Sequence, residues 1–264
     1  MEGLGQLALA AGRGGEGWTD EASERYQRQL LLPELGLEGQ QRLSRARVAV
    51  VGAGGLGSTL LPLLVGAGVG QLRLCDGDIV SRSNLPRQTL YRTADLGGSK
   101  ARLAAERLSA LNPHCQLISS AEYLSPENAP RLLGKVDLIL DATDNDPARR
   151  CLDAYSRSTG IPWLYASAEG WGGQLALFLP GRPGYAELFP EAPAPTPNEA
   201  GQGSTAPAAA SGGRPIPVLA TTPALIASLA ATEAIKYLLG LPTTLADSLL
   251  LVDSLGMRLQ RIQR

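Results

Sequence analysis

The sequence predicts an α/β fold with a mainly parallel sheet extended by antiparallel strands, and three observations carry that expectation. Short β-branched runs alternate with amphipathic helical stretches through the first half of the chain, the pattern of βαβ units. The first of these runs ends in glycines that open a helix. After Pro162 the alternation gives way to two β-like segments around Gly170 to Gly173, which reads as a hairpin added to the sheet.

Taken in order, residues 1–20 are Gly- and Ala-rich and read as a disordered tail. A helical arm, "SERYQRQLLLPELGLEGQQRLSRA", starts at an expected N-cap, Ser23, breaks at Pro33 and resumes before Arg47. "RVAVVGAG" is a strand, "STLLPLLVGAGV" a helix and "QLRLCD" a second strand, one complete βαβ unit. "SKARLAAERLSALNP" is a helix stopped at Asn112-Pro113, "CQLISSAEYL" a strand, and "VDLILDATDN" a buried strand ending on acids. The hairpin "WLYASAEGWGGQLALFLPG" follows. Residues 181–217, dominated by Pro, Ala, Gly and Ser, form a long crossover loop, and a loop of that length inside a domain is either functional or disordered. "TPALIASLAATEAIKYLLGL" is a helix closed by Gly240, and "SLLLVDSLGMRLQRIQR" supplies two last strands. Residues 21–264 are expected to form one domain.

Composition narrows the function. The 264 residues, 44% hydrophobic and 19% charged, suffice for one sizeable core. A net charge of −1 without a basic run argues against nucleic-acid and membrane-surface partners. Cys75, Cys115 and Cys151 are far apart, and His114 is the lone histidine, so neither a disulfide framework nor a zinc site is expected. The stretch from Met1 to Gly17 reads as a loose tail and not as a signal peptide, no apolar run reaches membrane-spanning length, and a cytoplasmic location is expected.

Gly52, Gly54 and Gly57 satisfy GxGxxG between a strand and a helix, where free backbone N–H groups and the helix dipole attract phosphate. The same glycines also suit a tight strand-to-helix turn with no ligand. Asp76, ending the second strand, stands where a carboxylate accepts ribose hydroxyls, a Rossmann-like arrangement open to NAD and ATP alike. The next segment separates them. Asp78, Asn84, Arg87, Gln88 and Lys100 follow where a dehydrogenase needs little more than a strand and a helix. A guanidinium and an ammonium near the glycines neutralise a triphosphate and the charge that develops when its α-phosphate is attacked. Asp144, at a strand's carboxyl end, is placed to hold Mg²⁺ or to cap the helix "PARRCLDAY".

"RYQRQLLLPELG", "GAGGLGS", "DGDIVSRSNLPRQ", "GGSK", "DATDN" and "ATEAIKYLLG", in this order, resemble the MoeB/ThiF/HesA family, bacterial relatives of ubiquitin-activating enzymes. The resemblance implies a homodimeric adenylyltransferase. Its substrates would be ATP with Mg²⁺ and the C-terminal glycine carboxylate of a small ubiquitin-like sulfur carrier ending in Gly-Gly, for molybdopterin- or thiamine-type sulfur transfer. It implies that Gly55 lies against the nucleotide, Asp76 holds the ribose, Asn84, Arg87 and Lys100 contact phosphates, and Asp144 binds magnesium. Arg28 resembles an arginine that reaches across the dimer to the partner's γ-phosphate. Gln88 and Asn145 flank these positions.

The sequence departs from that family in two places. Relatives bind a structural zinc through two CxxC pairs; here Gly184 and Glu187 hold the first pair's places and no second pair precedes Arg264, so zinc is expected to be absent. The crossover-loop cysteine of many relatives is matched by Asn198, with Thr205 nearby, which offers no thiolate for a covalent intermediate. Sulfur is expected to come from a separate donor. Adenylation of a peptide or other carboxylate in a natural-product pathway, and a non-catalytic subunit that binds a ubiquitin-like protein, are the competing readings. An NAD-dependent oxidoreductase would leave most of these motifs idle.

Overall fold

The computed structural model describes residues 18–190 and 216–264. Most of the expected tail and residues 191–215 of the expected crossover loop, with Asn198 and Thr205, therefore lie outside the described residues.

The chain enters through α1 (Asp20–Arg25), α2 (Gln27–Leu30) and α3 (Gly36–Arg45). Ser23 is not the first cap. The Thr19 hydroxyl accepts the Ala22 N–H at 3.1 Å, one turn earlier, where Asp20 and Glu21 also favour the positive end of the helix. Ser23 instead accepts the Trp18 indole N–H at 2.8 Å. Pro33 falls in the break between α2 and α3, as expected. The arm docks through Tyr26, whose ring would lie 2.8 Å from a Cβ at Gly68, so only glycine fits there, with φ +93°. Asn112 donates to the Tyr26 hydroxyl at 2.8 Å, and the buried Gln40 amide donates to the Ala67 carbonyl at 2.8 Å.

One eight-stranded sheet runs in the order β3-β2-β1-β4-β5-β6-β7-β8. Its parallel part comprises β1 (Arg47–Val51), β2 (Gln71–Cys75), β3 (Gln116–Ser120), β4 (Leu138–Asp141) and β5 (Trp163–Glu169). From β5 the sheet continues antiparallel through β6 (Gly172–Phe178), β7 (Ser248–Asp253) and β8 (Arg258–Gln263). Strand β3 is shorter than the run from Cys115 to Leu124 suggests. Pairing with β2 ends at Cys75 and Ser120, because the following side chains serve other partners: Glu122 binds Arg131, and Tyr123 binds Asp78.

The helices between strands are α4 (Gly57–Ala67), α5 (Lys100–Leu111), α6 (Ala129–Leu133), α7 (Asp146–Thr159), α8 (Tyr185–Leu188) and α9 (Thr221–Leu239). Alternation along the strands sorts the core into two layers. Val48, Val50, Leu72, Leu138 and Leu140 pack under α4, α5 and α9; Ala49, Val51, Ile139, Trp163 and Phe178 pack under α6 and α7. Helix α8 interrupts the stretch expected to be loop, because Tyr185 joins an aromatic cluster with Trp163 at 5.8 Å and Phe189 at 4.8 Å between ring centres. Among the described residues no helix is long and apolar enough to cross a membrane.

Candidate active site at the carboxyl ends of the parallel strands

Parallel strands all finish on one edge of a sheet, and here the turns after β1, β2 and β4 converge there. The glycine turn is built by close approach. Gly52 has φ +100°, and a Cβ on it would fall 2.6 Å from the Ala142 carbonyl oxygen; one on Gly57 would fall 2.3 Å from the Gly52 oxygen. Gly55 lies under Pro223 of α9, with 3.3 Å available to a Cβ. Gly54 differs, since a methyl there would touch only the Gln88 amide nitrogen at 3.5 Å. The open side of the turn lies at Gly54. No side chain caps the start of α4; the Ser58 and Thr59 N–H groups donate to the Gly54 and Leu56 carbonyls, so the N–H groups left for a ligand among the described residues are those of the turn from Gly54 to Gly57.

Asp76 accepts the Ala53 and Asp78 backbone N–H groups, both at 2.7 Å, one on each carboxylate oxygen. Burial pushes its carboxyl above the usual range; the two N–H groups and the Lys100 charge oppose that shift. Each oxygen keeps a lone pair for a ribose hydroxyl. Lys100 opens α5, and its side chain is 4% exposed with Nζ 2.8 Å from Asp78 Oδ2. Backbone pairing holds it there: Lys100 N–H donates to the Asp78 carbonyl at 3.0 Å, and Val80 and Gly97 pair alongside. The Asp78 carboxyl is raised by burial, yet hydrogen bonds from Lys100 and Tyr123 hold it below the ordinary range.

Arg87 and Gln88 descend from a 3₁₀ turn, Arg82–Asn84, whose Asn84 carbonyl accepts both of their N–H groups. Arg87 spends one donor on the Ser83 carbonyl at 3.0 Å, and its Cδ would lie 3.6 Å from a Cβ on Gly55. Gln88 is buried, with Oε1 unpartnered among the described residues. The buried Tyr91 hydroxyl ties this segment to the turn by donating to the Ala53 carbonyl at 2.9 Å.

Asp144 is exposed after β4. It does not cap the following helix; Asn145 does, accepting the Ala148 N–H at 3.0 Å, which leaves the Asp144 carboxylate uncommitted. Arg28 stands apart from this group within its own chain. Its neighbours Tyr26 and Gln29 bind the carboxyl end of α4, while the glycine turn lies at the other end, about 16 Å along an 11-residue helix.

Two features escaped the sequence. Tyr123, after β3, is 68% exposed, and its ring lies over Gly77, where a Cβ would meet it at 2.6 Å. Its hydroxyl donates to Asp78, whose carboxylate pushes the phenol up to about 12, helped by burial and the charges of Asp76 and Asp144. The other is a buried pair, Asp141 with Arg149, directly behind Asp144. Gly77 before Asp78, and an arginine one turn into α7, were the only traces of either in the chain.

Residues 26–264 match the model of the ThiF family. The chain belongs to the ThiF family. Among similar members, the "sulfur carrier protein adenylyltransferase" of Thermus thermophilus is 41% identical over 251 residues, covering 93% of this chain and 88% of that protein. The "probable adenylyltransferase/sulfurtransferase MoeZ" of Mycobacterium tuberculosis is 39% identical over 247 residues, 92% of this chain but 60% of its own length. A crystal structure of E. coli MccB with ATP shares the ThiF-type fold at TM-score 0.78 and 18% identity, over 96% of this chain and 73% of that one.

Proposed function

We propose that this ThiF-family chain is an ATP-dependent adenylyltransferase that activates the C-terminal glycine carboxylate of a small ubiquitin-like sulfur carrier and releases pyrophosphate. The observation that carries the reading is Lys100, an ammonium kept almost dry beside the glycine turn with a half-exposed carboxylate as its counter-ion. Burying a charge is costly; the half-exposed Asp78 offsets part of that cost, and the two ammonium donors that Asp78 does not take are free to meet an anionic ligand. The kinship with proteins named adenylyltransferases supports the same reading.

In this mechanism Asp76 accepts the ribose hydroxyls, and the exposed Tyr123 ring next to it offers a face to the base. The N–H groups of the glycine turn, Arg87 and Lys100 surround the phosphates. Lys100 has three donors and gives one to Asp78, which aims the other two. The glycine carboxylate is ionised at neutral pH, so no general base is required. A carboxylate oxygen forms a bond to the α-phosphorus, the α–β bridging bond breaks, and pyrophosphate leaves with the electron pair. The barrier is anion repulsion and alignment, which the cations and the turn reduce.

Mg²⁺ fits Asp144, a free carboxylate at this edge; Mg²⁺ takes one or two carboxylates together with phosphate and water, and when bound it supplies further neutralisation of the phosphates. A structural zinc does not fit. At Gly184 a Cβ would lie 2.4 Å from Asp153 Oδ1 and 2.6 Å from an Arg157 nitrogen, and the Arg157 guanidinium itself bridges Asp153 and Glu187. Arg28, exposed and far from its own glycine turn, acts in a partner's site within a homodimer.

ATP–pyrophosphate exchange with a panel of carriers ending in Gly-Gly tests the reading. Exchange that depends on one carrier and collapses in Lys100→Ala and Arg28→Ala is the expected result. Binding of ATP with no exchange across the panel moves the substrate to a peptide carboxylate, and failure to bind ATP removes the enzymatic reading altogether.

A further inference from the structure

Strand β4 ends on a carboxylate that no ligand can touch. The Asp141 side chain has no exposed surface, and its partner Arg149, on α7, is 13% exposed with Nε 3.1 Å from Asp141 Oδ2. The guanidinium also lies 5.1 Å from the centre of the Tyr165 ring. A buried ion pair is a poor way to stabilise a fold, since apolar residues of the same volume serve as well or better. What it supplies here is direction. Asp141 Oδ1 accepts the Thr143 N–H at 2.8 Å and the Thr143 hydroxyl at 2.6 Å, while Arg149 donates to the Thr143 carbonyl at 3.0 Å.

All three polar groups of Thr143 are thereby fixed by one charged pair. The peptide between Ala142 and Thr143 also bears on the glycine turn: a Cβ on Gly52 would meet the Ala142 carbonyl oxygen at 2.6 Å and the Thr143 nitrogen at 3.3 Å. Asp144 follows immediately, exposed and without a hydrogen bond of its own among the described residues, and Asn145 is pinned by capping α7. The stretch 142–145 is held at both ends, and the exposed Asp144 carboxylate is left to a ligand.

We propose that Asp141 and Arg149 are positioning residues that clamp Thr143, so that the Asp144 carboxylate stands at a fixed distance from the phosphates on the glycine turn. The inference rests on the nucleotide and Mg²⁺ reading above. Its advantage is pre-organisation: the carboxylate needs no ordering when Mg²⁺–ATP arrives. Arg149 and Asp141 touch neither nucleotide nor metal, and act through the Thr143 peptide alone.

The test uses the full chain and titration calorimetry with ATP, with and without Mg²⁺. In the native protein Mg²⁺ tightens ATP binding. In the apolar double variant Asp141→Leu with Arg149→Met, the Mg²⁺ enhancement falls at least tenfold, while Mg²⁺-free ATP affinity stays within twofold and the melting temperature stays near native. Thr143→Val keeps the ion pair and loses one hydrogen bond, so it guards against a double variant that fails to fold; its Mg²⁺ enhancement falls about threefold. Arg149→Lys restores the charge without the second donor to Thr143 and leaves the enhancement reduced. A folded double variant, or Thr143→Val, with native Mg²⁺ enhancement overturns the clamp, as does a native protein whose ATP affinity ignores Mg²⁺. Native Mg²⁺-dependent binding without exchange on any carrier sinks the carrier reading and leaves the clamp standing.

Discussion

The two halves of the sheet are made of similar strands and do different work. From β3 to β5 every strand points the same way, and the turns at their carboxyl ends bring Gly52, Asp76, Tyr123 and Asp144 to one edge although they are spread over more than ninety residues. From β5 to β8 neighbours run in opposite directions, so their ends alternate between the two edges, and the ionisable side chains that meet there, Arg182 with Asp247, pair with each other. That half contributes area and an exposed outer strand. Parallel topology gathers chemistry, whereas antiparallel topology spends the same residues on extension.

That contrast can be broken by substitution, beginning with the parallel edge. Lys100→Ala is expected to lower pyrophosphate exchange by a factor of about 100 to 1,000, on the order of 3–4 kcal/mol of transition-state stabilisation. Asp78 is half exposed, so water can take over its counter-ion and the melting temperature should move little. Gly57→Ala would force a methyl to within 2.3 Å of the Gly52 carbonyl and should cost about 3 kcal/mol of stability, read from urea denaturation. A variant as stable as the native chain would show that the turn can open.

Smaller effects sharpen the comparison. Tyr123→Ala should weaken ATP binding by about 1–2 kcal/mol without changing the affinity for tripolyphosphate, since only the base would use the ring. Asp78 provides a pH test. Its folded pKa is held below the ordinary carboxylate value, so its contribution is complete above about pH 4 and is lost as pH falls through the lowered value. Asp78→Asn should flatten that acid limb of the stability profile. On the antiparallel side, Leu259→Thr, at a side chain 64% exposed on β8, should change stability by no more than about 0.5 kcal/mol and leave ATP affinity untouched. A large loss there would mean the two halves are not separable.

The glycine turn, Asp76 and the hairpin could be read from the chain because each is a local signal: a glycine spacing, a strand terminus, a polar break between two β-rich runs. Asn145 rather than Asp144 caps α7, and Thr19 rather than Ser23 caps α1, since neighbouring candidates differ only in which side chain reaches the free N–H. Tyr123 and the pair Asp141 with Arg149 were out of reach for a different reason. Tyr123 meets Asp78 across 45 positions, and Arg149 looks like any helical surface arginine until burial is known. What periodicity resolves is which face a residue lies on, and these roles depend on what stands opposite.

Trp163 opens β5 at the seam between the halves, wholly buried, stacked on Phe178 at 4.9 Å, with its indole N–H unpartnered among the described residues. An indole so dry is expected to emit at short wavelength, while Trp171, 49% exposed at the hairpin tip, and the half-buried Trp18 on the arm are expected to supply a second, redder component. The molecule therefore carries its own optical gauge: separation of the two halves would redden the first component and leave the second where it was.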